Sequence, residues 1–89
     1  MLQLKRKIGE MLTIDREFEV TLVDYSDESC DLLLQTASTK ETITLRQKVP
    51  HTIVTPGGDV QVTLHKISRG EAWLGFKAPL SISIQREER

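Results

Sequence analysis

The stretch Ala72 to Glu88, AWLGFKAPLSISIQREE, decides how this chain is read. Residues 72–76 alternate so that Ala72, Leu74 and Phe76 share one face of a strand, with Trp73 on the other. Residues 80–85 alternate likewise, which predicts a second strand with Leu80, Ile82 and Ile84 on one face. Lys77, Ala78 and Pro79 fall between them, and Pro79 has no amide hydrogen to give to a ladder, so it belongs in a turn or at an edge. A charged ending, Arg86-Glu87-Glu88, follows, and residues 86–89 have at most the makings of a helical turn.

Outward from that stretch the same period of two continues. Strands are expected over 1–8, 11–14, 17–24, 30–35, 41–46, 51–54 and 60–66, separated by Gly9-Glu10, Asp15-Arg16, residues 26–29, residues 36–40, Pro50, the Pro56-Gly57-Gly58 turn and residues 68–71. In the first strand Leu2, Leu4, Arg6 and Ile8 fall on one face and Gln3, Lys5 and Lys7 on the other. No segment sustains a 3.6-residue period, so the fold is expected to be all-β.

A chain of 89 residues is one domain, short enough that its core must be tight or shared with a second subunit. Aromatics are limited to Phe18, Tyr25, Trp73 and Phe76, so Val, Leu and Ile must fill the interior. The net charge of −1 excludes a global polyanion-binding field. Residues 1–47 carry six Lys/Arg against nine Asp/Glu, and residues 48–89 six against four, so any nucleic-acid surface must be a local patch. Cys30 is the single cysteine and is read as a small buried apolar residue. No apolar run approaches membrane length and no apolar stretch follows the N-terminal basic residues, so a cytoplasmic location is expected.

The chain also repeats itself. Phe18–Leu22 lies over Val60–Leu64 at an offset of 42, and at that offset Ser26 meets Ser68, Cys30 meets Ala72, Leu32 meets Leu74 and Leu34 meets Phe76. With a three-residue deletion, Ile43–Arg46 lies over Ile82–Gln85. Two copies of one β-module are therefore expected, 1–47 and 48–89, the second with a degenerate first strand.

Met1–Ile14 together with Val60–Glu88 resembles the carbon storage regulator family of bacterial translational regulators, also called repressors of secondary metabolites. The opening Met1-Leu2, Leu4, the basic cluster Lys5-Arg6-Lys7 and Gly9-Glu10 match its pattern, as do Gly75, Ala78 and Pro79 in the turn and the Arg86-Glu87-Glu88 ending. The spliced match covers about half the chain, and residues 15–59 interrupt it. The resemblance implies a small intertwined β-barrel or sandwich. Family members are homodimers in which the first strand of one subunit lies beside the last of the other, each such pair forming one RNA site. For this chain it implies a single-chain pseudo-dimer, with residues 2–7 pairing with 81–86 in one competent site, and a degenerate opposite site around Arg46 and Lys48. A monomer is favoured over a homodimer.

The family recognises GGA in single-stranded or hairpin-loop messenger leaders, so the implied partner is messenger RNA or a small regulatory RNA, with no membrane and no cofactor. Strand edges can read unstacked bases through backbone groups, while basic side chains neutralise phosphates. By resemblance Leu4 packs on the RNA, Arg86 is the principal basic contact, and Lys5, Arg6 and Lys7 meet phosphates. Ala78, Pro79, Ile82 and Ile84 shape the base-reading edge. Gln85 stands where the family often has His, and Gln3 replaces a common aliphatic residue. Each of these residues also has a plainer role: a solvated edge strand for the lysines, core for Leu4 and Ile82, a surface ion pair for Arg86.

Other chemistries lack their residues. His51 and His65 are 14 apart with no Cys or paired carboxylate at ligand spacing. The glycines at 57 and 58 are not followed by Lys-Ser/Thr, so no phosphate loop is expected. The carboxylates of the first half accompany no nucleophile, and no enzymatic activity is expected. A second function class remains, a protein-interaction decoy that binds a carbon storage regulator dimer or its protein antagonist, with Trp73 as a contact.

Overall fold

The computed structural model describes residues 2–87. Its strands are β1 (Leu2–Lys7), β2 (Met11–Ile14), β3 (Phe18–Tyr25), β4 (Ser29–Gln35), β5 (Lys40–Arg46), β6 (His51–Thr55), β7 (Gly58–Ser68), β8 (Glu71–Lys77) and β9 (Ile84–Glu87). The first eight follow the alternation of the sequence to within a few residues. The fold is all-β, as the period of two demands.

Two antiparallel sheets form, one in the order β1-β8-β7-β6 and one in the order β5-β4-β3-β2-β9. Their inner faces meet in one core. Ile53, Val60, Val62, Leu64, Ala72, Leu74 and Phe76 come from the four-stranded sheet, and Leu12, Ile14, Val20, Leu22, Cys30, Leu32, Leu34 and Leu45 from the five-stranded sheet. The radius of gyration, 11.9 Å, is what a single body of this length should have, so the sheets share that core rather than forming two lobes.

The sheets are built to matching registers. In β7 and β8, Leu64 opposes Leu74, a bulge follows, and Lys66 opposes Trp73. In β3 and β4, Leu22 opposes Leu32, a bulge follows, and Asp24 opposes Asp31. Beside β8, β1 places Leu4 opposite Leu74 and Arg6 opposite Ala72. Beside β4, β5 places Ile43 opposite Leu32 and Leu45 opposite Cys30. The offset of 42 between residues 18–34 and 60–76 thus coincides with equal pairing. The overlay of Ile43–Arg46 on Ile82–Gln85 does not: β5 borders β4, whereas β9 borders β2, so the two strands occupy different positions in their sheets.

Two further expectations are corrected. Residues 80–83 are not strand, and Leu80, Ile82 and Ile84 do not share a face. The chain leaves the four-stranded sheet at Lys77 and joins the other at Ile84, so this segment must cross between layers about 10 Å apart. The Pro79 carbonyl accepts the Ile82 amide at 3.0 Å, which curls the segment, buries Ile82 and pushes Leu80 fully into solvent. Nor does β1 pair with the last strand. β1 spends its ladder on β8, and β9 spends its ladder on β2 with Leu12 opposite Arg86 and Ile14 opposite Ile84. Arg86 and Glu87 continue that strand and do not begin a helical turn, and Glu88 lies outside the described residues.

Candidate nucleic-acid interface

β1 and β9 are edge strands of different sheets that stand on the same rim of the sandwich. A groove of about 240 Å³ runs between them, lined by Leu2 of β1, Ile84 of β9 and the crossing residues Ala78, Pro79, Leu80 and Ile82. Further along the rim, Arg6 reaches across the layers: its Nη1 donates to the Met11 carbonyl at 3.2 Å, and Met11 opposes Glu87 of β9. The strands expected to form one site are thus brought together across a gap, without a shared ladder.

The crossing segment is held from two directions. The Asp15 amide donates to the Ser83 carbonyl at 2.7 Å. A Cβ on Gly57 would lie 3.5 Å from Ile82 Cγ1, and one on Gly58 would lie 3.1 Å from Pro79 Cγ, so the turn after β6 presses directly on this segment. Thr55 fixes that turn, its buried hydroxyl donating to the Gly58 carbonyl at 2.7 Å and accepting the Gly57 amide at 3.2 Å.

The ten expected site residues separate into three groups. Ala78, Pro79, Ile82 and Ile84 form the groove. Arg86 and Gln85 are exposed on β9. Arg86 opposes the buried Leu12 and therefore emerges on the inner side of its strand, toward the gap, while Gln85 opposes Thr13 and faces outward. Residues of β1 divide by alternation. Leu4 packs half-buried against the core and Arg6 is 4% exposed, with Nε donating to the Lys5 carbonyl at 2.7 Å. A phosphate contact from Arg6 conflicts with this burial, and the guanidinium serves instead as a tie between the sheets. Lys5 and Lys7 point to the outer face, away from the groove. Of the residues named for a second site, Arg46 and Lys48 are exposed; the Lys48 amide donates to the Leu64 carbonyl at 2.8 Å as the chain passes from β5 to β6.

Sequence reasoning missed Leu2 and Leu80, which give the groove apolar flanks. It also missed the neighbourhood of Trp73. The Lys5 and Lys66 ammonium groups lie 4.9 Å and 4.2 Å from the centre of its indole. Alternation from Leu64 places Lys66 in the core. The bulge at His65 reverses that phase, and no residue type announces it.

Cys30 is buried, and its thiol is pushed up to about 11, first by burial and then by the charge of Asp31, which makes it a poor nucleophile at neutral pH. Among the described residues, no group of three or more His, Cys, Asp and Glu side chains is placed to hold a metal ion. No helix of the described residues is long and apolar enough to cross a membrane. A larger, shallow depression of about 570 Å³ lies among the loops near Arg16, Phe18, Thr36 and Pro56, with Glu17 and Glu19 as its only carboxylates. Comparison with family models, with curated proteins and with solved structures finds no match to this chain.

Proposed function

We propose that the chain is an RNA-binding post-transcriptional regulator that reads GGA in single-stranded or hairpin-loop messenger leaders and modulates translation from the bacterial cytoplasm. The observation that carries this reading is the meeting of the β1 edge, the Ala78-Pro79 segment and Arg86 of β9 on one rim. In the family that the sequence resembles, such a rim takes strands from two subunits. Here one chain supplies both, so a monomeric pseudo-dimer is the assembly we infer.

The matching registers support a different division of the two halves. β5 stands to β4 as β1 stands to β8, and so takes the part of a first strand for the second half. What the opposite rim lacks is a counterpart of β9: among the described residues β6 borders β7 alone in its sheet. One complete site and one incomplete site follow, for a reason different from a degenerate first strand.

Native mass spectrometry with a GGA-loop hairpin tests this, with one protein and one RNA expected. Arg86→Ala should weaken hairpin binding by about 1–3 kcal/mol if Arg86 touches a base, and uniformly across loop sequences if it meets only phosphate. Two proteins with two RNAs would restore an ordinary homodimer. Absence of RNA binding would favour the second reading, a decoy for a carbon storage regulator dimer or its protein antagonist. The unpaired β6 edge supports that alternative, because an extended segment of a partner can add there as a strand.

A further inference from the structure

The outer faces of the two sheets carry opposite chemistry at equivalent places. On the four-stranded sheet Trp73 lies between Lys5 of β1 and Lys66 of β7, each directly opposite it in the ladder. On the five-stranded sheet the matching positions are Asp31, Thr44 and Asp24, and there the Thr44 hydroxyl donates to Asp31 Oδ1 at 2.7 Å. One face is thus cationic and aromatic where the other is acidic.

The two ammonium groups reach one indole from the strands on either side of it, drawn by the electron density of the ring. An anion that bridges them gains the attraction of both charges. Lys7 and Lys77 lie on the same face by alternation, with Gln3 and Thr63 flanking the bare backbone of Gly75. Glu71 beside Lys7 and Asp59 near the far edge are the countercharges of this face. A row of cations with amide and hydroxyl groups between matches the needs of a flexible phosphodiester chain: neutralised phosphates, and polar partners for its sugars and bases.

We infer that the outer face of the four-stranded sheet is a second binding surface, for single-stranded RNA without sequence preference, with a phosphate held between Lys5 and Lys66 above Trp73. It rests on the RNA-binding reading for its ligand class but does not need GGA. Its role is to hold the strand that flanks a loop bound at the β1–β9 rim, since Lys5 belongs to β1 itself.

The test uses the full chain and a 12-nucleotide, unstructured RNA of A and U, followed by Trp73 fluorescence and by anisotropy of the labelled RNA. Binding should quench Trp73. Lys66→Gln should lower the slope of log affinity against log salt by about 0.7, the share of one phosphate on a single strand. Trp73→Leu removes the ring that holds both ammonium groups in place and should weaken binding severalfold. A GGA hairpin bound with no response of Trp73 to the A/U strand overturns the inference and leaves the rim site standing. An A/U strand that binds and quenches, with no hairpin preference, keeps this surface and removes the rim reading. Equal quenching by poly-glutamate overturns the nucleic-acid assignment in favour of an acidic protein partner.

Discussion

Arg6 is where the sequence and the structure assign one side chain two different tasks, and its replacement distinguishes them. As a phosphate contact it would be exposed, and its loss would cost RNA affinity and little stability. As found, it is 4% exposed, donates to the Met11 carbonyl across the layers and to the Lys5 carbonyl locally, and occupies the position that Leu45 takes in the other sheet. Burial of its three methylenes contributes about 2 kcal/mol at most. A hydrogen bond from a charged donor adds about 1.5–3 kcal/mol, part of which offsets the desolvation of the guanidinium. Arg6→Ala loses the stem and the tie and should cost about 2–4 kcal/mol, lowering Tm by at least about 8 °C in a domain this small. Arg6→Leu restores apolar volume at a position where the equivalent residue is already Leu, and should cost about 1 kcal/mol or less. Urea unfolding followed by Trp73 fluorescence measures both, with hairpin affinity recorded on the same samples. An unchanged midpoint in Arg6→Ala together with lost hairpin binding would refute the internal tie and return Arg6 to the RNA.

Two other outcomes are expected. Gly58 has φ of 135° and a Cβ there would meet Pro79, so Gly58→Ala should cost about 1–3 kcal/mol and also disturb the groove, read as a lower urea midpoint with weaker hairpin binding. The Cys30 thiol keeps its proton longer in the folded chain than in the unfolded one, so its contribution to stability is complete below about pH 9.0 and is lost as pH rises toward about 11; urea midpoints should fall across that window by more than in Cys30→Ala, and a thiol reagent at pH 8 should leave the native protein unlabelled.

The all-β fold was legible because a period of two is a local signal. β3, β4, β7 and β8 each display it, and up to the bulges of β3 and β7 their inward residues are the ones alternation names. Residues 80–83 misled for the same reason: Leu80, Ser81, Ile82 and Ser83 alternate, but a peptide crossing between layers has no ladder to join. Partnership was harder to read than strand existence. Nothing in β1 or β9 specifies which neighbour each will take, because pairing depends on where the intervening chain can travel. The groove was legible as a set of residues, Ala78, Pro79, Ile82 and Ile84, while its geometry was not. Lys66 was illegible, since a bulge changes the phase of a strand without changing its composition.

The sheet edges carry the remaining argument about function. β1 ends in Lys5-Arg6-Lys7, and β5 begins with Lys40 and ends with Arg46, charges that discourage strand addition. β6, His51-Thr52-Ile53-Val54-Thr55, has no Lys, Arg, Asp or Glu, leaves Val54 72% exposed, and relies on its shortness and on Pro50 and Pro56 at its ends. This is the edge where a counterpart of β9 would stand, and a strand added there would also complete the rim beside β5. An RNA regulator acting through the β1–β9 rim has no use for that edge, whereas a decoy needs it. Val54→Lys places a charge at the edge without touching the core or the groove. Under the RNA reading it leaves hairpin affinity and monomeric mass unchanged. Under the decoy reading it abolishes capture of a carbon storage regulator dimer in an RNA-free pull-down. Loss of hairpin binding in Val54→Lys would contradict both, because it would place the RNA on the rim that the chain leaves incomplete.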